Sequence, residues 1–173
     1  MNKNTKILAG IIIALATISA AAILLNRDNV VANKELNNNA IFVVLNDGKE
    51  VTSFNMSEIQ AIGEVEFNAT LRSSGSEPKE HVYTGVLLKS IFANANISIE
   101  GKDAVIVTAA DGYTVAVTID KLMDDDNVYL AYKKDGELLG TKEDGGSGPY
   151  QMIIRKDPFS QFWCKFAISA ELK

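Results

Sequence analysis

The segment AVIVTAADGYTVAVTI, residues 104–119, decides the reading of the chain. Two runs rich in valine, isoleucine and threonine, residues 104–109 and 113–119, flank Asp111-Gly112. β-Branched side chains favour extended backbone, and an Asp-Gly pair accepts the positive φ of a tight turn. The segment predicts a β-hairpin. The same signature recurs on both sides of it. Asp47-Gly48 separates the runs 41–45 and 50–54, and Asp135-Gly136 separates 128–132 from 137–139.

Working outward, Ser57-Glu58-Ile59-Gln60 has the spacing of a helix capping box, with Gly63 placed to stop the helix after about two turns. Val65, Phe67, Ala69 and Leu71 alternate with Glu66, Asn68 and Thr70, the pattern of a half-buried strand. A polar loop over residues 72–79 follows. Thr84 is positioned to cap a helix with Leu87, Leu88, Ile91, Phe92 and Ala95 on one apolar stripe. On the C-terminal side a short helix is expected at 120–123 and a glycine-rich loop at 142–149 (KEDGGSGP). A strand at 151–155 and a closing strand at 161–172 complete the chain. Many short strands with two or three short helices predict an α+β domain, β-dominated, of mixed sheets.

The 173 residues are 47% hydrophobic with 12 glycines and 3 prolines, which excludes fibrous and largely disordered classes. One cysteine excludes an intrachain disulfide, and one histidine excludes a two-His metal motif. A formal charge of −5 argues against a nucleic-acid partner. Residues 7–25 (ILAGIIIALATISAAAILL) carry no charge, and Lys3 and Lys6 precede them. About 20 apolar residues cross a bilayer as a helix, and basic residues before such a helix keep its N-terminus in the cytoplasm. Residues 1–25 are therefore expected to be a single-pass cell-membrane anchor, so that the membrane is one partner of the chain. A cleaved signal sequence ending at residues 19–22 is the competing reading. Both readings export the remainder. Residues 26–39, polar and asparagine-rich, are then a flexible linker, and residues 40–173 one extracytoplasmic domain.

Few residues offer chemistry. No G-x-S-x-G elbow exists, since the nearest stretch, residues 145–149, ends in proline. Asp124-Asp125-Asp126-Asn127 lacks the ligand spacing and glycine of a calcium loop and reads as a solvated helix end. His81 is either a donor to an anionic ligand or an exposed loop residue. Gly145, Gly146 and Gly148 either bring backbone N–H groups to a phosphate or form a flexible connection. Cys164 is expected in the core on the face of Phe162, Phe166 and Ile168, with Lys165 opposite.

The order of these short motifs resembles the molybdopterin-binding domain of the sulfite oxidase family over residues 65–172. His81-Val82-Tyr83-Thr84-Gly85-Val86-Leu87-Leu88 resembles the element that opens a helix in that family. Asp111-Gly112-Tyr113 resembles its turn between two strands, and Asp135-Gly136-Glu137-Leu138-Leu139 its later hairpin. Gly148-Pro149, Met152-Ile153-Ile154, Lys165-Phe166 and Glu171-Leu172 resemble its closing run. The resemblance implies an α+β fold of mixed sheets. For the family's enzymes it implies molybdenum held by a pterin dithiolene and one cysteine thiolate, performing two-electron oxygen-atom transfer or reduction. It also implies that basic residues and backbone N–H groups hold the cofactor phosphate. On that basis Arg72, His81, Arg155 and Lys165 are the candidate cofactor-binding residues.

The family's metal-binding cysteine would lie at residues 69–73, where this chain has none, and Gln151 stands where the closing run usually has arginine. No catalytic residue and no metal ligand is therefore assigned. The expected function is a noncatalytic exported module with a pocket for a pterin or another small anion, with molybdopterin as the candidate cofactor. Two readings compete with it. One is a molybdenum oxidoreductase using a different metal ligand or a partner's cysteine. The other is an extracellular protein-interaction domain without cofactor, marked by an exposed apolar patch.

Overall fold

The computed structural model describes residues 11–12, 14–19, 21 and 40–173. The chain divides into two compact units, Met1–Leu36 and Asn37–Lys173. In the first unit the described residues are helical. Among the described residues no helix is long and apolar enough to cross a membrane. Most of the expected anchor at 7–25, and the whole linker at 26–39, lie outside the described residues.

The second unit holds two sheets. The first contains β1 (Ile41–Asn46), β2 (Lys49–Asn55), β5 (Ala104–Ala109), β6 (Thr114–Thr118) and β10 (Ala167–Leu172), in the order β2-β1-β10-β5-β6. β10 is its central strand, parallel to β1 with Val43 opposite Ser169, and antiparallel to β5 with Ala170 opposite Val107. The second sheet contains β3 (Val65–Leu71), β4 (Lys79–Leu87), β7 (Val128–Lys134) and β8 (Glu137–Leu138), with β9 (Gln151–Ile154) also paired to β7. Three short helices, α1 (Met56–Gly63), α2 (Leu88–Asn94) and α3 (Ile119–Met123), connect strands. The fold is α+β, as the pattern of short strands predicts.

Period-two alternation buries Phe42, Val44, Val105, Val107, Val115 and Val117 on one face of the first sheet. Each such side chain contributes roughly 1.5–3 kcal/mol by leaving water. In the second sheet Val128 to Tyr132 are buried on both faces, because α2 packs against β7. Phe67 stacks on Tyr129 with ring centroids 3.8 Å apart, and the Trp163 ring meets Tyr83 edge-on at 5.8 Å.

Three local expectations change. The capping box of α1 is made by Asn55 and Glu58, not Ser57 and Gln60. Asn55 Oδ1 accepts from the Glu58 N–H at 3.0 Å, and Glu58 Oε2 accepts from the Asn55 N–H at 2.8 Å. β2 runs straight into this cap, so the helix starts at Met56 and takes Ser57 into its first turn. Thr84 caps nothing: β4 continues through it to Leu87, and α2 begins without a side-chain cap. Gly85 explains the continuation. A Cβ there would lie 2.4 Å from the Leu130 carbonyl oxygen and 2.7 Å from the Ala131 Cα, so glycine lets β4 press against β7 where their register shifts.

The closing strand expected at 161–172 is broken. Ser160–Phe162 forms one 3-10 turn, Cys164 makes an isolated bridge to Met152, and Phe166 has φ of 55°. Alternation therefore fails over this stretch: Trp163 is buried while Phe162 is 49% exposed. Cys164 is nonetheless buried, as expected for a small apolar side chain.

Candidate functional site

Arg72 is the first residue beyond β3. Its N–H donates to Ser160 Oγ at 2.8 Å, and that hydroxyl donates to the Thr70 carbonyl at 3.3 Å, which ties the loop after β3 to the 3-10 turn. Arg72 and Arg155 line one cleft of about 600 Å³ together with Glu80, Lys156 and Asp157. Its charges are mixed and mostly engaged. Arg155 Nε donates to the Asn68 carbonyl at 2.9 Å, Lys156 pairs with Asp124 at 2.7 Å, and Asp157 pairs with Lys121 at 2.6 Å. Arg72 also borders a second cleft of about 560 Å³ with Ser73, Ser74, Ser76, Phe159 and Gln161.

His81 lies on β4, not in a loop, and is 8% exposed. Its Nδ1 sits 2.6 Å from Asp135 Oδ2, and it lines none of the clefts described here. The histidine joins β4 to the β7–β8 turn.

Lys165 stands apart from both arginines. It lines a cleft of about 90 Å³ with Leu71, Tyr83, Lys134, Ser147 and Gln151. Tyr83 and Lys134 reach it from paired positions on β4 and β7. The backbone of Cys164 exchanges two hydrogen bonds with Met152, at 2.8 and 3.0 Å, which holds Lys165 beside β9. Ser147 Oγ donates to Gln151 Oε1 at 2.8 Å. The structure thus brings Arg72 and Arg155 together and leaves His81 and Lys165 elsewhere. Tyr83, Lys134, Ser147 and Gln151 are contributors that sequence reasoning did not assign. Tyr83 and Lys134 meet through a cross-strand register, which no local pattern displays.

The glycine-rich loop is not a phosphate cradle. Its N–H groups are already engaged: Gly145 donates to the Lys142 carbonyl, Gly146 to Thr141, Ser147 to Leu139 and Gly148 to Gly140, at 2.7–3.1 Å. A Cβ on Gly146 would lie 2.2 Å from the Leu139 carbonyl oxygen, so this glycine serves close packing of the loop on its own base. An anion nest needs N–H groups turned outward.

Burial pushes the Cys164 thiol up to about 11, with the Asp111 carboxylate adding to the shift. The group is a neutral thiol at pH 7, whereas metal binding takes the thiolate. Among the described residues no cluster of three or more His, Cys, Asp or Glu side chains is arranged to hold a metal ion.

The family of the oxidoreductase molybdopterin binding domain matches residues 41–155, more than half of the chain. The chain belongs to this family. The match ends before Cys164 and Lys165. A crystal structure of the sulfane dehydrogenase SoxCD from Paracoccus pantotrophus superposes with a TM-score of 0.62 at 18% identity, over 79% of this chain and 38% of that one. At that identity the likeness shows the fold, and this chain spans well under half of the protein it matches. No curated protein matches the chain.

Molybdopterin is the group that the family implies, and the residues present fit it poorly. Residues 69–73 hold no sulfur, and the one thiol is buried in the core with its pKa raised. The two clefts with room for a pterin have carboxylates or a single arginine on their walls. The cleft lined by two lysines is far below the ~300 Å³ usual for an organic ligand. The roomy cleft that gathers Arg72, Arg155 and Lys156 also carries Glu80 and Asp157, and Arg155 and Lys156 are already engaged with the Asn68 carbonyl and Asp124.

Proposed function

We propose that this chain is a noncatalytic member of the molybdopterin-binding domain family, an exported domain that keeps the scaffold and binds a small anion in place of the metal-bearing cofactor. The observation that carries the reading is the state of Cys164. A thiolate is a strong, soft ligand for molybdenum, and the one thiol of the chain is buried and held protonated. Export and anchoring belong to the same proposal and rest on the uncharged residues 7–25 behind Lys3 and Lys6. The test is to purify the full chain from a host that makes the cofactor, then assay molybdenum and, after oxidation, pterin fluorescence. Neither is expected. Molybdenum and pterin at one equivalent each would overturn the reading.

A second reading has its own observation. Phe159, Phe162 and Tyr113 are 60%, 49% and 47% exposed, and the Tyr113 hydroxyl donates to the Gln161 carbonyl at 3.2 Å, which places these rings on neighbouring segments. Exposed aromatic rings of this kind suit a protein-interaction domain.

A further inference from the structure

We propose that the open edge of β6 pairs with the same strand of a second copy of this chain, giving a two-fold dimer in which one sheet runs through both copies. The inference goes beyond the anion reading and does not depend on it. Other strand edges among the described residues are guarded. Arg155 and Ser160 donate to the Asn68 and Thr70 carbonyls and so cover the outer side of β3. β2 carries Lys49 and Glu50, and a register shift interrupts its pairing with β1. β8 has only two residues, and β9 is bridged by Cys164. Charge, irregularity, shortness and cover are the means by which edges avoid other chains. β6 shows no charge and no irregularity: its five residues are neutral, and its register with β5 is unbroken.

The backbone of β6 is turned for pairing. The Ala109 N–H donates to the Tyr113 carbonyl at 2.8 Å, and the Ile119 N–H donates to the Asp103 carbonyl at 3.2 Å. The odd-numbered residues from 113 to 119 therefore bond to β5. In an antiparallel ladder the alternate residues, Thr114, Ala116 and Thr118, then aim their backbone groups at the free edge.

Sequence symmetry names the occupant. Thr114-Val115-Ala116-Val117-Thr118 reads the same in both directions. A two-fold axis at Ala116 sets this residue against its own copy, Thr114 against Thr118 of the partner subunit, and Val115 against Val117 on the core side. Threonine pairs and β-branched pairs directly opposite each other stabilise a sheet. The same register brings the exposed Tyr113 ring to the partly buried Ile119 of the partner subunit. Charge agrees as well. Antiparallel pairing places the end of β6 that carries Asp111 and Lys142 against the end that carries Asp120 and Lys121, so each end offers both signs to its opposite. An isologous contact needs this self-complementarity. So short a strand buries less than the ~1,200 Å² of a standard stable interface, and the association is accordingly weak and concentration-dependent.

The test is light scattering of the full chain in mild detergent from about 1 μM to 1 mM, with disulfide trapping beside it. A monomer–dimer equilibrium is expected. Ala116→Lys, which sets two ammonium groups face to face at an exposed position, should weaken it at least tenfold, with circular dichroism confirming the native fold. Val51→Lys, which adds the same charge to an exposed position of β2, should leave it unchanged. The pairing also fixes distances. Opposite Cα atoms in a hydrogen-bonded antiparallel pair lie about 5.5 Å apart, within disulfide range. Ala116→Cys should therefore give a covalent dimer on oxidation, while Cys164 is too buried to contribute. Thr114→Cys alone should not, because its two copies stand about 13 Å apart along the strand, whereas Thr114→Cys mixed with Thr118→Cys should. A monomer throughout the range would overturn the inference. A dimer indifferent to Ala116→Lys would overturn it too, by tracing association to residues outside β6. Equal trapping of Thr114→Cys and Ala116→Cys would mean collision without register and overturn the pairing.

Discussion

The Asp135 carboxylate clamps two successive residues of β4: Oδ2 lies 2.6 Å from His81 Nδ1 and Oδ1 accepts from the Val82 N–H at 3.1 Å. In return the Asp135 N–H donates to the Val82 carbonyl at 2.6 Å. An aspartate chosen for its turn geometry thereby also locks the β7–β8 hairpin to the neighbouring strand.

The His81 hydrogen bond holds the Asp135 carboxyl below its ordinary value of 3.8, and the Val82 N–H adds to this against partial desolvation. A carboxyl lowered in the folded state contributes stability above its unfolded pKa and loses it as pH falls through the folded value. Asp135→Asn is therefore expected to unfold at lower urea concentration than the parent at pH 7. The gap between the two should narrow at pH 3 and below. A gap of constant size across that range would remove the carboxylate charge from the explanation.

Gly85→Ala is expected to destabilise the domain by about 3 kcal/mol, the upper end of the usual cost of overpacking. The atoms that the new methyl meets, the Leu130 carbonyl oxygen and the Ala131 Cα, are backbone and cannot turn aside. Equilibrium urea unfolding measures the loss. A change below about 0.5 kcal/mol, the range of an ordinary surface substitution, would show that β4 and β7 separate easily here.

Cys164 should label slowly in the native state. Its pKa moves from 9.0 to about 11, which lowers the thiolate fraction at neutral pH about a hundredfold, and burial slows access further. A chromogenic disulfide reagent is expected to react at least about a hundredfold more slowly with folded than with denatured protein. Comparable rates would mean that the thiol is open to solvent and able to ligate a metal.

The hairpins were legible because their signals are local. Asp47 and Asp135 take φ of 49° and 53°, followed by Gly48 and Gly136 at 81° and 83°, the conformation an Asp-Gly pair favours in a two-residue hairpin turn, whereas at Asp111-Gly112 only the glycine takes a positive φ, of 85°. Reading failed where distant contacts decided the outcome. Thr84 and Gly85 look like a helix entrance until β7 packs against them, and residues 161–166 look like a strand until the Trp163 indole donates to the Ile154 carbonyl at 3.2 Å. The site followed the same rule. Lys165 stood out through its motif, but Tyr83 and Lys134 become neighbours only through the pairing of β4 with β7. The glycines of 145–148 suggested an anion loop because composition does not reveal which way N–H groups point.

The placement of β10 between β1 and β5 has a consequence for synthesis. A ribosome delivers β2-β1 and β5-β6 as two separate half-sheets, and the strand that seams them together emerges after both. Until Leu172 is translated, the nascent chain carries unpaired strand edges that invite association with other chains. That sheet therefore closes only once β10 has been made, and shortening β10 by even a few residues would leave the halves unjoined.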